Sequence, residues 1–217
     1  MAAEAKRLKL ETDKSTDNLT NDSLIHFLNW CEKVGVVISP KVYVNKKGTV
    51  SDYGMLARED IEEGEVLFTV PRSAVLYQNT TAIHSMLEKE KEILDSQSGW
   101  VPLLLSLLYE VTNSESHWKP YFSLWPDFCF LNHPMFWSEG ERQRLLSGTS
   151  ILEAVHKDIV NIQHEYNTIV LPFMKSHPEF FDPQKHTLEL YQKLVAFVMA
   201  YSLDNNVDWM LVKIGAV

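Results

Sequence analysis

Cysteine is scarce in this sequence, and phosphate-binding glycine loops are missing altogether. Only Cys31 and Cys129 occur in 217 residues. Two thiols make no disulfide framework and cannot form a four-thiolate zinc site, so both are expected as free, buried thiols in a reducing compartment. There is no G-x-G-x-x-G, no Walker loop and no G-x-S-x-G elbow. The usual sequence grounds for dinucleotide, kinase or hydrolase chemistry are therefore lacking. Eight histidines are present, yet no two stand at the i, i+4 spacing of a helical zinc site. They read as surface or hydrogen-bonded core histidines, and no metal is expected. An excess of positive charge is absent too. The net charge of −9 speaks against a surface that wraps nucleic acid, while leaving room for a basic peptide in an acidic groove. The longest apolar run, near Val101 to Leu108, is far too short for a bilayer. The first residues hold no apolar signal core, so the triplets at Asn18, Asn21 and Asn79 are not expected to carry sugar.

What the sequence does contain is organised. Hydrophobic residues make up 45%, enough for a packed core. Residues 1–20 are polar and read as a flexible tail, in which Lys6, Arg7 and Lys9 are either a nuclear signal or simply solvated. Leu24, Phe27, Leu28, Cys31 and Val34 share one helical face from Asp22 to Val34, and Gly35 stands where a C-cap wants positive φ. The period then drops to two. Lys41–Asn45, Gly54–Ala57 and Val66–Val70 read as strands, with turns at Lys46–Gly48 and Glu62–Gly64 and a short fourth strand at Ala74–Leu76. From Trp100 the pattern is helical. Val101–Val111 is apolar nearly all round, and Ser138 with Glu141 has capping-box spacing, with Gly148 beyond that helix. Leu152–Met174 is a long helix facing inward through Val155, Ile159, Ile162, Tyr166 and Ile169, with Pro172 expected to kink or end it. A last helix covers His186–Leu203. Beyond it, Trp209–Val212 is a short apolar stretch expected to form an unpaired edge.

One stretch is more specific. Ser51-Asp52-Tyr53-Gly54, then Asp60-Ile61-Glu62-Glu63-Gly64-Glu65, then Val70-Pro71 resembles the opening of a SET domain. Further on come Ser98-Gly99-Trp100-Val101-Pro102, His117-Trp118-Lys119-Pro120-Tyr121, Leu124-Trp125-Pro126 and His133-Pro134-Met135-Phe136-Trp137. Tyr166-Asn167 and Leu171-Pro172-Phe173 follow. In this order the blocks resemble the helical insertion of SET-domain protein-lysine methyltransferases of the Rubisco large-subunit methyltransferase group, over about residues 20–203. The resemblance implies an α+β chain: the N-terminal part of a small β-rich SET domain, split by a mostly helical insertion. Its expected divisions are a tail at 1–20, a helix with the first β-part at 21–99, the insertion at 100–203 and a divergent tail at 204–217.

The resemblance also implies S-adenosyl-L-methionine as cofactor. It places Ser51, Asp52, Tyr53, Gly54 and Tyr201 at cofactor-contacting positions, with Gly54 fixing the turn. It places Trp100, Ser202 and Asp204 at substrate-contacting positions. Blander readings stand beside these. Trp100 reads equally as a core aromatic opening a buried helix, Tyr201 as inner-face packing, and Ser51 and Asp52 as turn formers. Where the family usually has glycine, this chain has Asp52, whose charge favours an ammonium or sulfonium and opposes a carboxylate; a modest effect on affinity is expected.

The expected partner is a protein presenting a lysine, with histones and transcription-related proteins as the implied class, and the expected location is the nucleus, with the cytoplasm as an additional one. No direct nucleic-acid or membrane partner is expected. The family's later Asn-His and tyrosine segments do not follow Ser202. No catalytic residue is assigned for that reason, and the chain is expected to be a truncated form, inactive alone. The alternative is a non-catalytic protein-binding module or a competing truncated form.

Overall fold

The computed structural model describes residues 22–49, 52–125, 133–203 and 210–211, with side chains through residue 200. The chain is α+β and divides into two compact units. The first comprises the described parts of residues 1–74 and 117–125; the second comprises those of 75–116 and 126–213.

In the first unit, helix α1 runs over residues 22–33. It closes as its sequence implies. Gly35 takes φ 82°, its N–H donates to the Glu32 carbonyl, and Val36 N–H donates to the Cys31 carbonyl at 2.9 Å. That is the paired bonding of a glycine-terminated helix. A Cβ on Gly35 would also meet Pro71 Cγ at 3.3 Å. Cys31 is buried, and burial pushes its thiol up to about 11. Cys129 lies outside the described residues.

Strand β1 (Val37–Ile38) was not anticipated, being only two residues long. Strand β2 (Val42–Asn45) pairs antiparallel with β3 (Gly54–Ala57), in the register Val42↔Ala57 to Asn45↔Gly54. The turn between them has Gly48 at φ 92°. Strand β4 is Phe68–Thr69, shorter than the expected Val66–Val70, and pairs antiparallel with β1. The fourth strand expected at Ala74–Leu76 does not form. Arg72–Ala74 is instead a 3-10 turn, with Ala74 N–H donating to the Pro71 carbonyl at 2.9 Å and Ala74, Val75 and Leu76 buried. The fixed φ of proline favours such a turn over continued extension. Helix α4 (Lys119–Phe122) follows Trp118, whose indole N–H donates to the Ala74 carbonyl at 2.9 Å.

In the second unit, α2 (His84–Lys89) precedes α3 (Val101–Thr112), which is buried over most of its surface and packs on α8 (Leu188–Tyr201). Tyr191, Leu194, Phe197 and Val198 of α8 and Leu104, Leu105, Leu107 and Leu108 of α3 have no exposed surface. Each such aliphatic side chain contributes about 1.5–3 kcal/mol by leaving water.

Helix α5 (Glu139–Leu146) starts with the expected capping box. Helix α6 (Ser150–Glu165), a π-turn at Tyr166–Val170 and α7 (Leu171–Ser176) form one continuous helical stretch. Pro172 was expected to kink or end this helix. The π-turn provides for it instead: Leu171 N–H donates to the Tyr166 carbonyl five residues back, widening the coil just where the proline ring would meet the preceding turn. The extra residue also shifts the buried stripe. Val155, Ile162 and Tyr166 are buried as expected, but the next fully buried residue is Val170 rather than Ile169. At the end of α8, Ser202 and Leu203, expected to be helical, form strand β5. It pairs antiparallel with β6 (Met210–Leu211), so the edge expected to stand unpaired has a partner.

Candidate cofactor and substrate site

The β2–β3 connection carries the first group of site residues, and its shape follows from two side chains and a glycine. Asn45 Oδ1 accepts from the Lys46 N–H at 2.8 Å, turning the chain as it leaves β2. Thr49 Oγ1 lies 2.6 Å from both the Lys46 and the Asp52 carbonyl oxygens, drawing the two limbs of the loop together. Gly54 is buried at the start of β3, where a Cβ would meet Thr49 Cγ2 at 2.8 Å. Gly54 was expected to fix the turn. The positive φ there belongs to Gly48, and Gly54 is needed for the close approach of Thr49.

Asp52 and Tyr53 are half-buried and share one cation. Lys46 Nζ lies 2.7 Å from Asp52 Oδ1 and 4.4 Å from the centre of the Tyr53 ring. Desolvation holds the Tyr53 phenol above its ordinary range, opposed by Lys46 and reinforced by Asp52. Lys46 was not singled out from sequence; a lysine in a Lys-Lys-Gly turn carries no signal beyond that of the turn itself. The pair gives this loop one cation and one anion in contact with each other. The charge of Asp52, where the family has glycine, is already compensated by Lys46. Ser51 lies outside the described residues.

Trp100 belongs to the second unit. It is half-buried at the entry of α3, with φ −98° and ψ −8°, following Gly99 at φ 67°. Its carbonyl accepts from Leu104 N–H at 2.8 Å, and its backbone N–H donates to Ser98 Oγ at 3.1 Å. Ser98 Oγ donates to Glu165 Oε2 at 2.6 Å, and the Tyr191 hydroxyl donates to Glu165 Oε1 at 2.7 Å. Burial and the neighbouring Glu165 carboxylate push the Tyr191 phenol far upward, so it stays a protonated donor. Sequence reading missed Ser98, Glu165 and Tyr191 as a group, because their separation along the chain hides their meeting.

Nearby, His186 is a buried, bonded histidine, in keeping with the reading of the histidines. Its Nε2 lies 2.8 Å from Thr112 Oγ1, and the Tyr166 hydroxyl donates to its carbonyl at 2.8 Å. Tyr201 closes α8 and Ser202 opens β5, which places both at a helix-to-strand junction. Asp204 lies outside the described residues. Among the described residues, no three His, Cys, Asp or Glu side chains gather as a metal-ligand set, and no helix is long and apolar enough to cross a membrane.

Comparison with known proteins gives this geometry a family. No protein-family model matches the chain. It is 60% identical over 205 residues to the N-lysine methyltransferase setd6 of Xenopus tropicalis, a match covering 94% of this chain and 44% of the relative. The setd6 of Danio rerio is 59% identical over 208 residues, covering 96% and 44%. The human SETD6 is 46% identical over 232 residues, covering 96% and 49%. The chain thus spans somewhat under half the length of the curated relatives it matches. Among solved structures, Rubisco LSMT bound to AdoMet superposes with a TM-score of 0.68 at 21% identity, covering 88% of this chain and 42% of that one. The same enzyme bound to sinefungin and monomethyllysine gives 0.64 at 20% identity, covering 88% and 43%. These last two show the SET-domain fold. At 46 to 60% identity over nearly its whole length, the chain belongs to the family of the setd6 N-lysine methyltransferases.

Proposed function

We propose that this chain contributes to a SET-type N-lysine methyltransferase that moves a methyl group from S-adenosylmethionine to a lysine of a protein substrate. The observation that carries the reading is the identity of 46 to 60% with named N-lysine methyltransferases along 94 to 96% of the chain. The cofactor, when bound, supplies an electrophilic methyl group on a sulfonium. The chain's own residues hold and orient. Asp52 and Lys46 offer the two charges that a methionine zwitterion needs, and the resemblance assigns Ser51, Tyr53, Gly54 and Tyr201 to the cofactor as well. The resemblance assigns Trp100, Ser202 and Asp204 to the substrate segment. The lysine must arrive neutral, since an ammonium has no lone pair, and an aromatic wall such as Trp100 favours the uncharged form by excluding water. Histones and transcription-related proteins are the substrate class to try first. Nuclear location is part of the same reading, supported by Lys6, Arg7 and Lys9 and tested by a reporter fused to residues 1–20.

The test is thermal unfolding of the 217-residue chain with and without S-adenosylmethionine, followed by transfer of labelled methyl to lysine-rich proteins. At about 100 times the dissociation constant, a bound cofactor adds roughly 2.7 kcal/mol and moves the transition upward. An unshifted melt together with no transfer would remove the proposal for this chain.

A further inference from the structure

We infer that residues 90–99 form a strap fastened at both ends to one long helical stretch, and that the π-turn is what brings the two fastenings onto a common face. The inference stands on the fold alone and goes beyond the methyl-transfer reading. The first fastening is His177, at the end of α7. Its Nε2 lies 3.0 Å from Oε1 of Glu90, the residue that closes α2. The imidazole is held from other sides as well, with Nδ1 3.5 Å from Glu179 Oε1 and the Phe173 ring 4.7 Å away, centre to centre. The second fastening is Glu165, at the end of α6. Its Oε2 accepts from Ser98 Oγ at 2.6 Å, and its Oε1 accepts from the Tyr191 hydroxyl at 2.7 Å. Between them the chain runs in turns: Ile93 and Leu94 N–H donate to the Glu90 carbonyl, and Gly99 N–H donates to the Ser96 carbonyl. Only Leu94 is buried there, at 1% exposure, whereas Ile93 is 63% exposed. A segment with few buried contacts and bonds at its two ends opens locally, as a unit, well before the core does.

Glu165 and His177 are twelve residues apart. In an uninterrupted α-helix, at about 100° per residue, they would point about 120° apart. The π-turn at Tyr166–Val170 lies between them and takes up one extra residue. The steps that remain bring the two residues to within about 20° of one direction. Both can therefore meet a single short loop. A widening ahead of Glu165 would not do this, because it would leave the two fastenings on different faces. The span fits as well. They stand roughly 17 Å apart along the helix axis, which the eight steps from Glu90 to Ser98 cover without full extension. Pro172 gives the π-turn a local cause, and the strap gives its position a use.

The test is cleavage of the 217-residue chain by trypsin after Lys91, an exposed lysine inside the strap, under native conditions and with the urea midpoint measured in parallel. His177→Ala removes the first bond and Ser98→Ala the second, and neither alters the sequence beside the cut. Each is expected to speed cleavage about tenfold, the scale of one hydrogen bond to a charged group, while the urea midpoint stays nearly in place. Ser98→Ala discriminates most, because it acts seven residues away from the cut. The π-turn is tested by deleting Thr168, an exposed residue within it, together with Pro172→Ala. An uninterrupted α-helix then carries both fastenings on one face, so the strap should stay closed and cleavage should stay near the parent rate. An alanine inserted after Asn167 should instead part them and speed cleavage to that of the double variant His177→Ala, Ser98→Ala. Cleavage that ignores Ser98→Ala overturns the strap. So does a urea midpoint that falls in step with the cleavage rate, which would mark global rather than local opening. A folded Thr168-deleted chain cut as fast as the double variant, or an insertion that leaves the rate unchanged, overturns the role given to the π-turn.

Discussion

At Gly54 one expectation holds and another does not. The sequence reads it as opening a strand, and so it does, but the resemblance also has it fix the turn. What excludes a side chain there is Thr49 Cγ2, 2.8 Å from where a Cβ would sit. Gly54→Ala is therefore expected to destabilise the fold by about 1–3 kcal/mol through overpacking, read as a lower urea midpoint. Thr49→Ser on that background removes the offending methyl and keeps the hydroxyl, so it should recover part of the loss. Failure to recover would show that the cost lies elsewhere. Other residues of the site were legible as types but not as partners. Asp52 and Tyr53 stand out in the sequence, whereas Lys46 does not, and only the fold brings its ammonium 2.7 Å from Asp52. Ser98, Glu165 and Tyr191 meet through helix packing that no local pattern encodes.

Helices proved more readable than strands, for a physical reason. A helix announces itself through caps and a repeating apolar face. The Ser138–Glu141 box formed as expected, with Ser138 N–H donating to Glu141 Oε2 at 2.9 Å. Because α5 buries none of its residues, its first turn depends on that box. Ser138→Ala is expected to fray it, with the amides of Glu141 and Arg142 exchanging about fivefold faster, as the loss of ~1 kcal/mol implies. Unchanged exchange would mean that packing holds the turn. The strands β1, β4, β5 and β6 are two residues each and exist by pairing, which a single sequence does not show. The π-turn was hidden for a related reason: an interrupted period between Tyr166 and Val170 looks the same as a slightly ragged one, and the expected inner face ran one residue off at Ile169.

Over the whole molecule, stability should depend on pH through buried His186 and half-buried His133. Burial holds His186 below the ordinary histidine range, and His133 is depressed in the same way. Unfolded, such groups titrate near about 6.5. Below that pH the unfolded chain binds protons that the folded chain refuses, so stability present at neutral pH is lost as the pH falls. Unfolding free energy is expected to drop between pH 7.5 and 5.5, and His186→Gln should flatten the slope even if it lowers the plateau. An unchanged slope would remove His186 as the source. The interleaving of the two units has a further consequence, for how the protein is made. Among the described residues the first unit is written in two pieces, and Trp118, which bonds the Ala74 carbonyl, emerges from the ribosome only after the whole of 75–116. Its core must wait, open, while a stretch of the other unit is synthesised. Residues 22–74 expressed alone should therefore melt without cooperativity, and a short linker joining them to 117–125 should restore a transition.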